Sequence, residues 1–212
     1  MKNQISELEF DRQVKNLLSK KYSKLAKLSE DKFLSYTKPL KKQLKKFKFK
    51  KVDFEKGKLP FVLVVKSELV DSTQAMGAVE WNNKSGLVKL YPREPKDFKT
   101  IEELKIPKQP VYLLINIDRG QQNINLSPSE AFKIIKKQKR SPLTIDEGIA
   151  IITQYPDFLV KNNCFSLLGS RFTGDKRVPA IWINGKKQAN LGWCWDGNPH
   201  TWLGSASCEN RI

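Results

Sequence analysis

Val111-Tyr112-Leu113-Leu114-Ile115-Asn116-Ile117 is an almost unbroken apolar run that ends at Asp118-Arg119-Gly120. Its length, its branched side chains and the turn residues behind it predict a buried strand. Pro60-Phe61-Val62-Leu63-Val64-Val65 has the same character. Between them, Ala78-Val79-Glu80-Trp81 and Leu87-Val88-Lys89-Leu90-Tyr91 flank Asn82-Asn83-Lys84-Ser85-Gly86, a pattern that predicts a hairpin with a loop of about five residues.

Helices are predicted on both sides of this β region. Upstream, Phe10, Val14, Leu17, Leu18, Tyr22 and Leu25 recur at spacings of three and four, one apolar stripe with lysines opposite. Ser29-Glu30-Asp31 offers a helix start, and Leu40, Leu44 and Phe47 make another stripe at i, i+4, i+7. Lys46-Phe47-Lys48-Phe49-Lys50 then alternates as a strand would. Downstream, Ser127-Pro128-Ser129-Glu130 combines an N-cap serine, a first-turn proline and a third-position glutamate, which is a capping box. Thr144-Ile145-Asp146-Glu147 repeats the arrangement. Short strands follow, among them Val178-Pro179-Ala180-Ile181-Trp182-Ile183. The expected fold is α+β, with N-terminal helices packed on a largely antiparallel sheet and a Trp-rich β region at the C-terminal end. Residues 1–58 are expected to be a Lys-rich helical segment packed on a core formed by 59–212.

The net charge of +17 is unevenly placed, because residues 1–58 hold 18 Lys and Arg against 7 Asp and Glu. Lysine supplies 32 of the 39 basic residues. It is a diffuse point charge, whereas phosphate and base recognition favour the arginine fork. Nucleic-acid binding through the basic helices is therefore expected to be weak and sequence-blind. No apolar run approaches the ~18 residues of a membrane span, and the opening Met1-Lys2-Asn3-Gln4-Ile5-Ser6 has no apolar leader core. A cytoplasmic protein without a membrane partner is expected. Walker, dinucleotide, H-E-x-x-H and nucleophile-elbow motifs are absent, which removes the common nucleotide, redox and protease classes as leading readings.

Four stretches carry a resemblance. They are Arg140-Ser141-Pro142-Leu143-Thr144-Ile145-Asp146-Glu147-Gly148, Cys164-Phe165-Ser166-Leu167-Leu168-Gly169-Ser170-Arg171, Arg177-Val178-Pro179-Ala180-Ile181-Trp182, and Gly192-Trp193-Cys194-Trp195-Asp196-Gly197-Asn198-Pro199-His200-Thr201-Trp202-Leu203-Gly204-Ser205-Ala206-Ser207-Cys208. With Asp11-Arg12-Gln13-Val14 near the start, they resemble a bacterial family of unknown function. The resemblance implies no activity. It does imply that the N-terminal helices belong to the domain and are not an added basic tail.

All three cysteines and the single histidine fall after residue 163. Cys164, Cys194, His200 and Cys208 would complete a closed tetrahedral zinc set, although no C-x-x-C knuckle is present. Unliganded buried thiols, packing as small hydrophobes, are the preferred reading of the same residues. A thiol enzyme would use Cys194 as nucleophile and His200 as base, with Asp196 or Asn198 orienting the ring. A small anionic ligand would use Arg171 and Arg177, which bracket a glycine turn, with Asn198 and His200 beside aromatic walls. Four tryptophans (182, 193, 195 and 202) are near in sequence and could stack a base or sugar, or simply fill a core. Function is thus unassigned; the leading expectation is a small-ligand-binding protein in which a structural Cys3His zinc site is one option.

Overall fold

The two apolar runs pair with each other. Lys58–Val65 lies antiparallel to Val111–Asp118, with Phe61 opposite Ile115 and Leu63 opposite Leu113. Every residue of Val111–Asp118 is buried, as an apolar run without alternation requires. The computed structural model describes residues 2–47, 49 and 52–212, and among these the chain forms two five-stranded sheets. In the first, Lys58–Val65, Val111–Asp118, Ser207–Cys208 and Ser141–Pro142 follow one another, and Asn210–Arg211 also pairs with Val111–Asp118. The second runs Leu203–Ser205, Cys164–Ser166, Arg177–Ile183, Ala189–Trp195, Leu87–Val88. Its two outer pairings are parallel; the inner ones are antiparallel. The fold is α+β.

Helix Ile145–Gln154 contacts strands of both sheets and is buried along nearly its whole length. Both predicted capping boxes are present, at Ser127 and Thr144. The absent side chain of Gly148 lets the helix close on Leu167 and Ile181; a Cβ there would fall 2.6 Å from a Leu167 methyl. Glu147 does more than cap. Its buried carboxylate accepts from the Thr144 N–H and the Tyr112 hydroxyl, each at 2.8 Å, and forms an ion pair with Arg211. Arg211 also donates to the Ser141 hydroxyl and the Pro142 carbonyl. The C-terminal strand, the central helix and the first sheet are joined at this one carboxylate.

The two sheets touch where Gly120 meets Gly204. Gly120 has φ +80°, and a Cβ on it would lie 1.9 Å from the Ser205 carbonyl oxygen. A Cβ on Gly204 would lie 2.3 Å from the Gly120 oxygen. Backbone meets backbone here, so nothing flexible can give way.

The N-terminal helices Lys2–Ser19 and Glu30–Gln43 bury Phe10, Leu17, Phe33 and Leu40 in the same core as Phe61 and Leu113. Ser29 caps the second of them, accepting from the Lys32 N–H at 3.2 Å. Gln13 is fully buried. Its amide oxygen accepts from the Leu63 N–H at 2.8 Å, and its amide nitrogen donates to the Phe61 carbonyl at 3.2 Å.

Two expectations need correction. The first stripe is not one helix: Lys21 turns left-handed (φ 61°), and a short helix Tyr22–Leu25 follows. The break brings the Tyr22 hydroxyl to 3.4 Å from Thr153. The expected five-residue hairpin loop is a two-residue turn. Asn82 and Asn83 both take positive φ, the backbone of a type I′ turn, and Glu80–Trp81 pairs with Lys84–Ser85. Leu87–Val88 instead joins the second sheet beside Ala189–Trp195. The alternating stretch 46–50 lies partly outside the described residues.

Candidate functional site

Strands Arg177–Ile183 and Ala189–Trp195 set Trp182 opposite Asn190, Ala180 opposite Gly192, and Val178 opposite Cys194. Cross-strand partners share a face, and faces alternate along each strand. Arg177, Pro179, Trp193 and Trp195 therefore occupy the opposite face. A Cβ at Gly192 would lie 2.1 Å from the Trp182 ring and 3.1 Å from the Asn190 amide nitrogen. The missing side chain leaves a trough that the indole fills.

Beyond Trp195 the chain turns back as a polar loop held by its backbone. The Asn198 N–H donates to the Trp195 carbonyl, and the carbonyls of His200 and Trp202 accept from Asn125 and Cys164. Trp202 comes edge-on to Trp182, with ring centres 6.2 Å apart, and His200 tilts against Trp202 at 5.2 Å. Trp193 and Trp195 form a second edge-on pair at 5.1 Å. A cleft of ≈ 310 Å³ is bordered by all four tryptophans, Trp182 with Trp202 from one face of the strand pair and Trp193 with Trp195 from the other. Asn198, His200 and Cys194 supply its polar atoms. The His200 Nε2 is buried without a hydrogen-bond partner in the protein, and burial lowers the imidazole pKa below its usual value, so the ring is neutral at pH 7.

The two expected arginines do not line this cleft. Arg171 forms an ion pair with Asp196, and Arg177 forms one with Asp175. The Arg177 guanidinium also lies over Trp193 and Trp195, at 4.6 and 5.2 Å from their ring centres. Of the four predicted ligand residues, Asn198 and His200 reach the cleft.

The predicted zinc ligands are not brought together. Among the described residues no group of three or more His, Cys, Asp or Glu is placed to hold a metal ion. The reason is topological. The Cys164 thiol faces the Val160 carbonyl at 3.4 Å, and Cys208 is buried in the other sheet. Cys194 and His200 lie at the tryptophan cleft. These residues do not fit a Cys3His zinc site.

Cys194 is equally poor as a nucleophile. Its recorded partner is the Ser166 hydroxyl at 3.8 Å, and burial pushes its pKa up to about 11. That is well above an ordinary thiol, so very little thiolate forms at about pH 8. Burial likewise pushes Cys208 to about 12 and raises Cys164. Iodoacetamide at that pH is expected to label the native protein far more slowly than free cysteine, and denaturation should restore the ordinary rate. A fast-reacting thiol in the native protein would contradict this.

Asn190 went unnoticed in the sequence. A polar residue between Ala189 and Leu191 in an apolar strand was the available signal.

Fold and site define an α+β protein with an uncharged, aromatic cleft at one end of its second sheet. A family model described as a family of unknown function (DUF5701) matches residues 16–212, and the chain belongs to that family. No curated protein and no solved structure matches it.

Proposed function

We propose that the protein binds a small molecule in the tryptophan cleft. The observation that carries this reading is the convergence of Trp182, Trp193, Trp195 and Trp202 on one concave space beside the unpartnered His200 Nε2. Its volume of ≈ 310 Å³ falls within the usual range of ligand sites, and aromatic walls with a few polar groups are their usual composition. Indoles exclude water and contribute contact area, while the amide and imidazole fix orientation.

The other readings have less support. The Cys194 thiol is protonated and faces Ser166. On the basic helices, Lys41 and Lys45 are paired with Asp11 and Glu7, and the apolar faces serve the core. We also read the protein as bacterial and cytoplasmic. The family resemblance supports the first, and three free cysteines support the second.

Thermal stability and tryptophan fluorescence, screened against neutral sugars, nucleosides, quaternary amines and small phosphates, test the reading. At least one class is expected to raise the melting temperature, and Trp202→Ala should abolish that response while remaining folded. A response undiminished in Trp202→Ala would move the site elsewhere.

A further inference from the structure

We propose that the ligand of this cleft is a saccharide, stacked on the indoles and hydrogen-bonded through its hydroxyls to His200 and to Asn190, which lies behind Trp182. The inference rests on the cleft being a ligand site and adds the class of ligand and a contact residue.

Charge comes first. No Asp, Glu, Lys or Arg lines the cleft, and the nearest ionised groups, Arg171, Asp196 and Arg177, are engaged in ion pairs. An anion would leave water without gaining a counter-charge, which is unfavourable, and the faces of Trp193 and Trp195 already carry the Arg177 guanidinium. A neutral ligand carries no such cost.

Ring geometry comes second. The pairs Trp182–Trp202 and Trp193–Trp195 are inclined at 68° and 69°. Inclined rings present a face and an edge, not two parallel planes. That shape suits a thick pyranose ring with an apolar C–H face better than a flat base, which gains most from stacking on a parallel face.

The unpartnered polar atoms come third. Besides the His200 Nε2, both Asn190 Nδ2 and Asn190 Oδ1 are buried with no hydrogen-bond partner in the protein, and Asn190 is 0 % exposed. Buried polar atoms are normally satisfied, so His200 in the cleft and Asn190 next to the cleft-lining Trp182 each call for a partner. A hydroxyl both donates and accepts. It satisfies either imidazole tautomer, and two hydroxyls satisfy both ends of an amide. The position a Gly192 Cβ would take lies 2.1 Å from Trp182 and 3.1 Å from the Asn190 nitrogen, so indole and amide are neighbours on one face. Trp182 is only partly buried and has the cleft on its outer side. The amide does not line the cleft as it stands, so ligand contact with Asn190 requires a turn of the Trp182 side chain away from it.

Fluorescence titration with glucose, N-acetylglucosamine, maltotriose and chitotriose tests the proposal, with adenosine, choline and inorganic phosphate as contrasts. At least one saccharide is expected to bind saturably. A trisaccharide that binds more tightly than its monomer identifies a segment of a glycan chain, and equal affinity identifies a single sugar unit. Asn190→Leu should weaken saccharide binding by roughly tenfold or more while leaving the melting temperature unchanged or higher, because it removes a polar group without a partner. His200→Phe, which keeps the packing on Trp202, should weaken binding as well; it decides the matter if Asn190→Leu does not fold. Saturation by adenosine, choline or phosphate with no saccharide response would overturn the saccharide class and leave the cleft as a ligand site. Silence from all seven probes would count against both. Wild-type saccharide affinity in both variants would remove the proposed hydroxyl contacts.

Discussion

Replacing Glu147 with alanine is expected to destabilise the protein by roughly 3–5 kcal/mol, the usual result of stripping one partner from a buried ion pair. Arg211 would keep its charge with its side chain 5 % exposed and no carboxylate against it. The Tyr112 hydroxyl would lose its acceptor, and the Thr144 N–H its cap. Urea unfolding at neutral pH measures the loss directly. The triple change Glu147→Leu, Arg211→Met, Tyr112→Phe removes the charges and the stranded hydroxyl together. It should recover a large share of the stability, since well-packed apolar groups often replace buried ion pairs without loss. A single Glu147→Ala variant costing under ~1 kcal/mol would show that the network does not hold the C-terminal strand.

Gly120→Ala is expected to be comparably damaging, at roughly 2–6 kcal/mol, by joining left-handed strain to a steric clash in a close-packed interior. The added carbon would sit 1.9 Å from the Ser205 oxygen. The sheets would have to separate at their point of contact, so loss of soluble protein or a sharply lowered melting temperature is the expected observation. Wild-type melting behaviour would mean that the corner is far more compliant than its geometry implies.

What could be read from the sequence follows the range of the interactions involved. The serine and threonine caps at 127 and 144 depend on residues three positions apart, and both were legible. So were the two apolar strands, because burial on both faces leaves a run without alternation. The Asn82-Asn83 turn was misread because its outcome depends on a distant competitor. Leu87–Val88 leaves the hairpin to pair with a strand about a hundred residues later, beside Asn190 and Leu191. The cysteines and histidine are close in sequence, but strand alternation and the passage of the chain from one sheet to the other between Leu203–Ser205 and Ser207–Cys208 separate them. The tryptophans could be seen to cluster; that Gly192 would lay one of them over Asn190 could not.

Gln13 has a consequence beyond fastening a helix. Among the described residues Lys58–Val65 is the outermost strand of its sheet, so one side of its backbone faces no neighbouring strand there. An unoccupied row of N–H and C=O groups on an apolar strand is a template on which another chain can build. The Gln13 amide meets the Leu63 N–H and the Phe61 carbonyl much as a peptide group of an adjoining strand would. The first helix therefore occupies two of the backbone groups that strand addition by an identical molecule would use.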